Sequence, residues 1–235
     1  MKKLTALFAF LAFSVTCLFA QNSDAGLNSE IGSFATSFTN SFSKVKVSFE
    51  VFGGMNLSKI TGFENNKVKF GWQLGGGVRI PLPVLDGKLS LNPQLAFIAK
   101  GTKKEISGPI TMKTTESPYY LEIPVKVGYS FNPLADKPRF GLTVYAGPYF
   151  AYGIAGKHVT KTPNDSFWGS AASDNKNDFF RAGYGKRFDC GLVLGVKAGD
   201  EIFFDLSYER GFTNVYAADK KYSNSSFLFG IGYRF

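Results

Sequence analysis

Apolar and polar residues alternate along most of the chain after residue 44, and the alternation is clearest at the C-terminus. The last series places large apolar side chains on every second position: Phe227, Phe229, Ile231, Tyr233 and Phe235. A period of two puts all five side chains on one face of a β-strand. We therefore predict that the chain ends in a strand with one continuous apolar face.

The same alternation recurs in seven earlier segments, whose first apolar residues are Val45, Val68, Leu89, Tyr119, Phe140, Phe188 and Ile202. Short turn-like connections join the second segment to the third, the fourth to the fifth and the sixth to the seventh. The remaining connections are longer and polar. Strict alternation of short and long connections is typical of a barrel with turns at one end and loops at the other.

These patterns predict an all-β fold: a closed antiparallel eight-stranded transmembrane β-barrel over residues 44–235, with short periplasmic turns and long external loops. Each segment has the ~9–11 residues that a tilted strand needs to cross a bilayer. An even number of strands puts both termini on the periplasmic side.

A soluble barrel of the lipocalin type would alternate in the same way. Two features favour the membrane barrel. The non-apolar face is rich in glycine and isolated charges, which would make a poor solvated exterior. Aromatic residues also gather near the ends of many apolar faces, as they do at membrane interfaces: Phe70 and Trp72, Tyr129 and Phe131, Phe150 and Tyr152, and Tyr233 and Phe235.

The first twenty residues are predicted to be a signal peptide. Lys2 and Lys3 form its charged start, Leu4–Phe19 is almost wholly apolar, and Ala20 offers a small residue for cleavage. A lipoprotein signal ending at Cys17 is the less favoured alternative, because the three residues before it do not fit that motif. The protein is therefore predicted to be exported.

Residues 21–43 precede the first strand and form a predicted periplasmic N-terminal arm. Helical spacing favours a short capping helix, whereas the abundant Ser, Thr and Asn favour a mobile linker. The apolar residues with helical spacing are Leu27, Ile31, Phe34, Phe38 and Phe42.

Composition narrows the possible partners. The formal net charge is +9, and it falls to +7 (9 minus 2) when Lys2 and Lys3 leave with the signal. An exported protein rarely meets nucleic acid, so we expect no nucleic-acid partner and assign the charge to anionic lipid headgroups or lipopolysaccharide. Cys190 is then the one remaining cysteine, which excludes an internal disulfide.

Charged residues at inward positions are predicted to form a network in the lumen. An eight-stranded barrel is just wide enough to be filled by its own side chains, and buried charges must be paired. We expect the acids to pair near mid-height with Lys69, Lys126 and Arg187. The predicted network comprises Glu50, Lys69, Glu122, Lys126, Arg187, Asp189, Asp205 and Glu209. An ion pathway or a ligand pocket is the alternative to such a plug.

Five further basic residues are predicted at the periplasmic ends of their strands: Lys46, Arg79, Arg139, Lys197 and Arg234. The external loops are basic too, with thirteen Lys and Arg, Lys100 among them, against seven Asp and Glu. Lipopolysaccharide phosphates are the simplest partner for this excess. A solvated surface without a specific partner is the alternative.

Catalytic and metal-binding signals are weak. His158 is the single histidine, and Asp165 and Ser166 follow it in the same loop, but nothing in the sequence fixes their geometry. Asp174–Asp178 offers oxygen ligands, yet Lys176 stands where a calcium loop needs a ligand. We therefore predict no catalytic site, no metal site and no cofactor.

Several short motifs resemble the PorT-type outer membrane β-barrel family of Bacteroidota. They are Tyr120-Leu-Glu-Ile-Pro124, Gly147-Pro148, Phe188-Asp-Cys-Gly191, Tyr208-Glu-Arg-Gly-Phe-Thr-Asn214 and the closing Gly-Tyr-Arg-Phe235. The resemblance implies an outer-membrane location. The final apolar series also looks like the signal by which the barrel-assembly machinery recognises such proteins.

The functional prediction is a non-enzymatic integral barrel with a structural or interaction role and a plugged lumen. One named member of the PorT-type family belongs to a secretion machinery, so a component of a secretion or surface-assembly complex is the first alternative. A surface ligand binder comes next and a lipid-modifying enzyme last.

Overall fold

Ten β-strands organise the part of the chain that the structure describes. This computed structural model describes residues 46–62, 66–83, 85–106, 112–131, 141–162, 173–181, 184–217, 220 and 222–235. The strands are β1 (Ser48–Thr61), β2 (Asn66–Pro81), β3 (Leu89–Ala99), β4 (Thr102–Ile106), β5 (Met112–Phe131), β6 (Leu142–Thr162), β7 (Ser173–Asp178), β8 (Phe188–Gly199), β9 (Ile202–Gly211) and β10 (Ser223–Arg234). The predicted signal peptide, the arm at 21–43 and Arg139 lie outside the described residues.

Eight of these strands close into a barrel. Following the hydrogen-bonded neighbours around the wall gives the order β1, β2, β3, β5, β6, β8, β9 and β10, all antiparallel. The last strand pairs with the first along its whole length, from Glu50 opposite Arg234 to Thr61 opposite Ser223. This pairing removes both sheet edges and confirms the predicted closed eight-stranded barrel.

The two ends of the barrel differ, and we call them the turn end and the loop end. At the turn end, a short 3₁₀ helix (Leu85–Gly87) joins β2 to β3, and Gly199 with a φ of 120° turns the chain from β8 into β9. At the loop end, β4 pairs with β2 and β5, and β7 pairs with β6. The sequence predicted loops in both places, because these short polar segments lack apolar alternation.

The outward face of the wall is apolar. The five residues of the C-terminal series all point outward, with exposed fractions from 43% at Tyr233 to 70% at Phe235. Between them, Leu228 points inward and is buried. Within the described ranges, the structure contains no helix that is long and apolar enough to cross a membrane.

Closure between β1 and β10 depends on close backbone contact at Gly54, which lies opposite Gly230. A Cβ added at Gly54 would overlap the carbonyl oxygen of Phe229 on the partner strand. At the neighbouring Gly53, a Cβ would come no closer than 3.6 Å to the Leu74 Cδ1 atom. The two glycines therefore provide a matched pair with very different steric demands.

We predict that Gly54→Ala lowers the free energy of unfolding by about 1–3 kcal/mol, the usual cost of overpacking. Gly53→Ala should leave it almost unchanged. Urea unfolding in lipid vesicles, followed by the shift of the folded band on unheated gels, measures both. Equal effects of the two substitutions would show that closure does not depend on the contact at Gly54.

Candidate functional site

The lumen is the candidate functional site, and its charged side chains lie in layers between the two ends. At the turn end, Glu50 is buried and forms ion pairs with Lys197 at 2.5 Å and with Arg234 at 2.9 Å. The Lys197 Nζ atom also lies 4.6 Å from the centre of the Phe203 ring. The sequence analysis expected Glu50 to pair at mid-height, but β1 brings it near the turn-end bases.

The next layer joins Lys126 to Asp205, with 3.9 Å between the Nζ and Oδ2 atoms. Tyr145 donates a hydrogen bond from its hydroxyl to the other carboxylate oxygen of Asp205. The Lys126 ammonium lies 4.6 Å from the centre of the Tyr145 ring, which adds a cation–π contact. The sequence analysis placed both charged residues in the lumen network, and the structure brings these two together.

Lys100 occupies the middle of the lumen and is fully buried. Its Nζ atom lies 2.6 Å from Glu122 Oε2 and 2.8 Å from Glu209 Oε2. It also lies 4.5 Å from the centre of the Tyr149 ring. One ammonium thus contacts two predicted network acids, and we call these three residues the central triad.

The assignment of Lys100 to the external loops was wrong. The residue follows β3 and continues that strand's inward-facing series of Ser90, Asn92, Gln94, Ala96 and Ile98, all of which are buried. Only after Lys100 does Gly101, with a φ of 141°, turn the chain away. Extending the period of two by one residue past the strand would have identified this partner.

Asp189 lies on the loop side of the central triad and is held by neutral donors. It accepts hydrogen bonds from Tyr149 at 3.2 Å, from Asn224 at 2.7 Å and from Thr213. These donors replace the basic partner that the sequence analysis expected. Neutral donors still satisfy a buried carboxylate, because hydrogen bonds to a charged acceptor are strong.

Lys69 and Arg187, the other expected mid-height bases, contact backbone carbonyls. The Lys69 Nζ atom donates to the carbonyl of Lys100 at 3.2 Å, and Arg187 donates to the carbonyl of Gly153 at 2.8 Å. Both side chains lie nearer the loop end than the acids they were expected to pair with. The predicted network residues therefore form separate layers rather than one mid-height cluster.

A further buried carboxylate, Glu116, organises the loop end. It forms an ion pair with Lys104 at 3.0 Å and accepts hydrogen bonds from the hydroxyls of Tyr184 and Tyr216. Its Oε1 atom lies 3.4 Å from His158 Nδ1. Glu116 was not predicted as a lumen residue from the sequence, although the residue continues the inward series of Tyr120 and Glu122 on β5.

The pKa values of the two tyrosines in this loop-end cluster are raised. Burial, together with the negative charge of Glu116, raises the pKa of Tyr184 and of Tyr216 above the usual value for tyrosine. Burial lowers the pKa of Lys104, and the charge of Glu116 opposes that change. The tyrosine hydroxyls therefore stay protonated and act as hydrogen-bond donors that link separate loops to one carboxylate.

His158 belongs to this cluster because of a β-bulge. The register between β5 and β6 shifts at Tyr119 and Tyr120, so that Ile154 has no opposite residue. The shift reverses the facing of β6 and turns His158 toward Glu116 and Tyr184, whose hydroxyl lies 3.1 Å from Nδ1. From the sequence, His158 was assigned to a loop, whereas the residue lies on β6 and is half-buried.

The loop end shows no assembled catalytic or metal site among the described residues. The contacts of His158 are to Glu116, Tyr184 and Thr160; Asp165 and Ser166 lie outside the described residues. Asp174–Asp178 falls within the extended strand β7 rather than in a loop that could wrap around an ion. The described part of the chain contains no group of three potential acidic, histidine or cysteine metal ligands.

We predict that Lys100→Met destabilises the barrel by about 3–5 kcal/mol, because it leaves two buried carboxylates without their ammonium. Lys103→Met removes an exposed lysine only three residues away and should change stability by less than about 0.5 kcal/mol. Urea unfolding in lipid vesicles compares the two variants. A loss at Lys103 as large as that at Lys100 would contradict the role of the central triad.

Residues 19–217 match the family model described as outer membrane protein beta-barrel domain. No curated protein sequence matches the chain.

Several solved structures resemble it at low sequence identity. Neisserial surface protein A shares 13% identity with a TM-score of 0.46, covering 81% of this chain and 99% of that one. The attachment invasion locus protein Ail of Yersinia pestis shares 13% identity with a TM-score of 0.40, over 81% and 99% of the two chains. A major outer membrane protein from Thermus thermophilus shares 14% identity with a TM-score of 0.43, over 81% and 100%.

The family match spans most of the chain and agrees with the closed barrel, its apolar outer wall and its charged interior. The protein therefore belongs to the outer membrane protein beta-barrel domain family, which supports a location in the bacterial outer membrane.

Proposed function

We propose that the protein is a non-enzymatic outer-membrane barrel that acts through its surfaces, with a lumen sealed to ions. The layered charges carry this proposal. At three successive heights, buried acids lie within 3.0 Å of a basic partner: Glu50 at the turn end, Glu122 and Glu209 in the central triad, and Glu116 at the loop end. The cavity between these layers has a volume of about 10 Å³, which is room for roughly one water molecule.

The loop end is proposed to face the cell exterior, with both termini in the periplasm. Outer-membrane barrels place short turns on the periplasmic side and longer loops outside. The 3₁₀ turn at Leu85–Gly87 and the tight turn at Gly199 mark the periplasmic end on this basis. The loop-end cluster around Glu116 would then hold the external loops together.

Exposed lysines surround the loop end just above the apolar wall. Lys59 follows the outward apolar residues of β1, Lys103 lies on β4, and Lys186 precedes β8. Phosphate groups of lipopolysaccharide would lie at this height in the outer leaflet, and lysine ammonium groups bind phosphate well. We therefore propose lipopolysaccharide as the lipid partner of this basic rim.

The first experiment tests whether the lumen is sealed. Purified protein in planar bilayers should give no ohmic single-channel steps at neutral pH, because paired side chains fill the barrel at several heights. A porin of known conductance, reconstituted in the same way, shows that insertion can be detected. Reproducible ohmic steps from this protein would overturn the plugged-lumen proposal.

The second experiment tests the basic rim. Replacing Lys59 and Lys103 together by Ala should weaken binding to lipopolysaccharide about 30-fold, at ~1 kcal/mol for each lysine near an anionic surface. Replacing Lys46 and Lys88, which are exposed at the turn end, removes the same charge and should leave binding unchanged. Titration calorimetry at low salt measures both, and equal losses would contradict a specific rim.

The alternative role is that of a component of a secretion or surface-assembly complex. It is based on the resemblance to the PorT-type family, which the motifs around Tyr120–Pro124 and Gly147-Pro148 suggest. Extraction from outer membranes in mild detergent, followed by native mass measurement, separates the two roles. A mass of one chain with bound lipid and detergent supports the autonomous barrel. Stoichiometric partner chains would instead make the protein part of an assembly.

A further inference from the structure

The basic side chains at the turn end of the lumen are not all paired with acids. Glu50 is the buried acid at this height, and it forms ion pairs with Lys197 and Arg234. Arg234 also lies 3.6 Å from Asp200, a turn residue whose side chain is 62% exposed. Arg79 belongs to the same end of the barrel, and within the described part of the chain it forms no ion pair.

The contacts of Arg79 are to a neutral group. Its Nη2 atom donates a hydrogen bond to Ser130 Oγ at 2.9 Å, and its Nε atom is buried without an acceptor among the described residues. Arg234 lies close enough to repel it. A half-buried charge with a neutral contact and a like-charged neighbour is unfavourable, so the turn end favours an added anion beside Arg79.

A carboxylate suits this position. A guanidinium has five N–H donors and binds a carboxylate through two parallel hydrogen bonds. Ser130 takes one of the Arg79 donors. The side chain is half-buried, so part of it is accessible to a group outside the barrel.

The chain itself brings acids to this place. β1 begins at Ser48, which lies directly opposite Arg79 on β2. Neighbouring strands are about 4.8 Å apart, so the N-terminal arm leaves the wall beside Arg79. Residues 21–43 contain Asp24 and Glu30 but no Lys or Arg. The arm therefore brings only negative formal charge to the end of the barrel that has an unpaired base.

The arm is long enough to fold back onto the lumen mouth. Glu30 precedes Ser48 by 18 residues (48 minus 30), which span roughly 27 Å even as a continuous α-helix. Because the arm is covalently attached, its carboxylates reach an effective concentration on the order of millimolar. A free anion must match that concentration to compete with them.

We propose that the N-terminal arm docks against the turn end through an ion pair between one of its carboxylates and the Arg79 guanidinium. The arm then covers the lumen mouth and supplies the acid that the layer around Glu50 lacks. Of the two arrangements predicted from the sequence, this one corresponds to a cap rather than to a mobile linker. The arm then presents a fixed surface at the turn end.

Docking is tested by electron paramagnetic resonance of the protein in detergent micelles at low salt. Cys190→Ser and Ala35→Cys leave one nitroxide site, in the arm, once the predicted signal peptide is removed. A docked arm gives a slow-motion component in the spectrum. Asp24→Asn together with Glu30→Gln should lower the ratio of docked to free arm roughly fivefold, the upper end for a partly exposed ion pair.

Arg79→Gln should lower the ratio equally, because it removes the same ion pair. Lys88→Gln is the matched control, since it removes an exposed base at the turn end and should leave the ratio unchanged. Reversing both sides, with Arg79→Glu, Asp24→Lys and Glu30→Lys, should restore docking. Absence of a slow component, its persistence in the neutralised arm, or an equal loss with Lys88→Gln would overturn the proposal.

A salt titration keeps the test valid if Arg79→Gln does not fold. In the spin-labelled protein with Asp24 and Glu30 intact, raising the salt to about 1 M shortens the Debye length to about 3 Å and should release the arm. A slow component that is insensitive to salt would contradict an ion pair.

A free anion is the competing occupant, and NMR of the Arg79 Nε–Hε resonance distinguishes it from the arm. The resonance should differ between the unmodified protein and the variant with Asp24→Asn and Glu30→Gln. Inorganic phosphate should then shift the resonance in the variant but not in the unmodified protein at the same concentration. Identical behaviour of the two proteins would show that the arm does not occupy the site.

Discussion

A sheet that crosses a bilayer finds no water to satisfy its backbone, and the rest of this structure depends on that constraint. Pairing of β1 with β10 satisfies the last free edge, and it does so over twelve consecutive residue pairs. Close approach of the two strands requires glycine at position 54. Once the sheet is closed, the period of two along each strand decides which side chains face lipid and which face the lumen.

Charged residues are tolerated in this membrane-spanning sheet because their side chains face the lumen. An eight-stranded barrel leaves little space inside, so each acid must find its partner among side chains at the same height. Glu50 finds two bases at the turn end, Glu122 and Glu209 share Lys100, and Asp189 is held by neutral donors. The resulting stack of paired and hydrogen-bonded layers both fills the barrel and fixes the height of one strand against another.

The alternation in the sequence was enough to predict the barrel, the outward C-terminal series and the inward facing of the eight network residues. It was not enough to predict partners. Which acid meets which base depends on the stagger between strands, and no single strand carries that information. Lys100 and Glu116 show a second limit. Both continue an inward series beyond the apolar part of their strands, where polar neighbours made the segment look like a loop.

The charged layers in the lumen and the backbone pairing of the wall seal the barrel in different directions. Charged layers block movement along the axis, and they do so however well the wall is paired. Backbone pairing closes the wall toward the bilayer, and its register is the same on both sides of Pro93, Pro124 and Pro148. Pro124 is where the two meet, since its strand also carries Glu122 and Lys126 into the lumen. The layers fix the height of each strand from inside, so the wall keeps its register even where a proline removes one ladder N–H group.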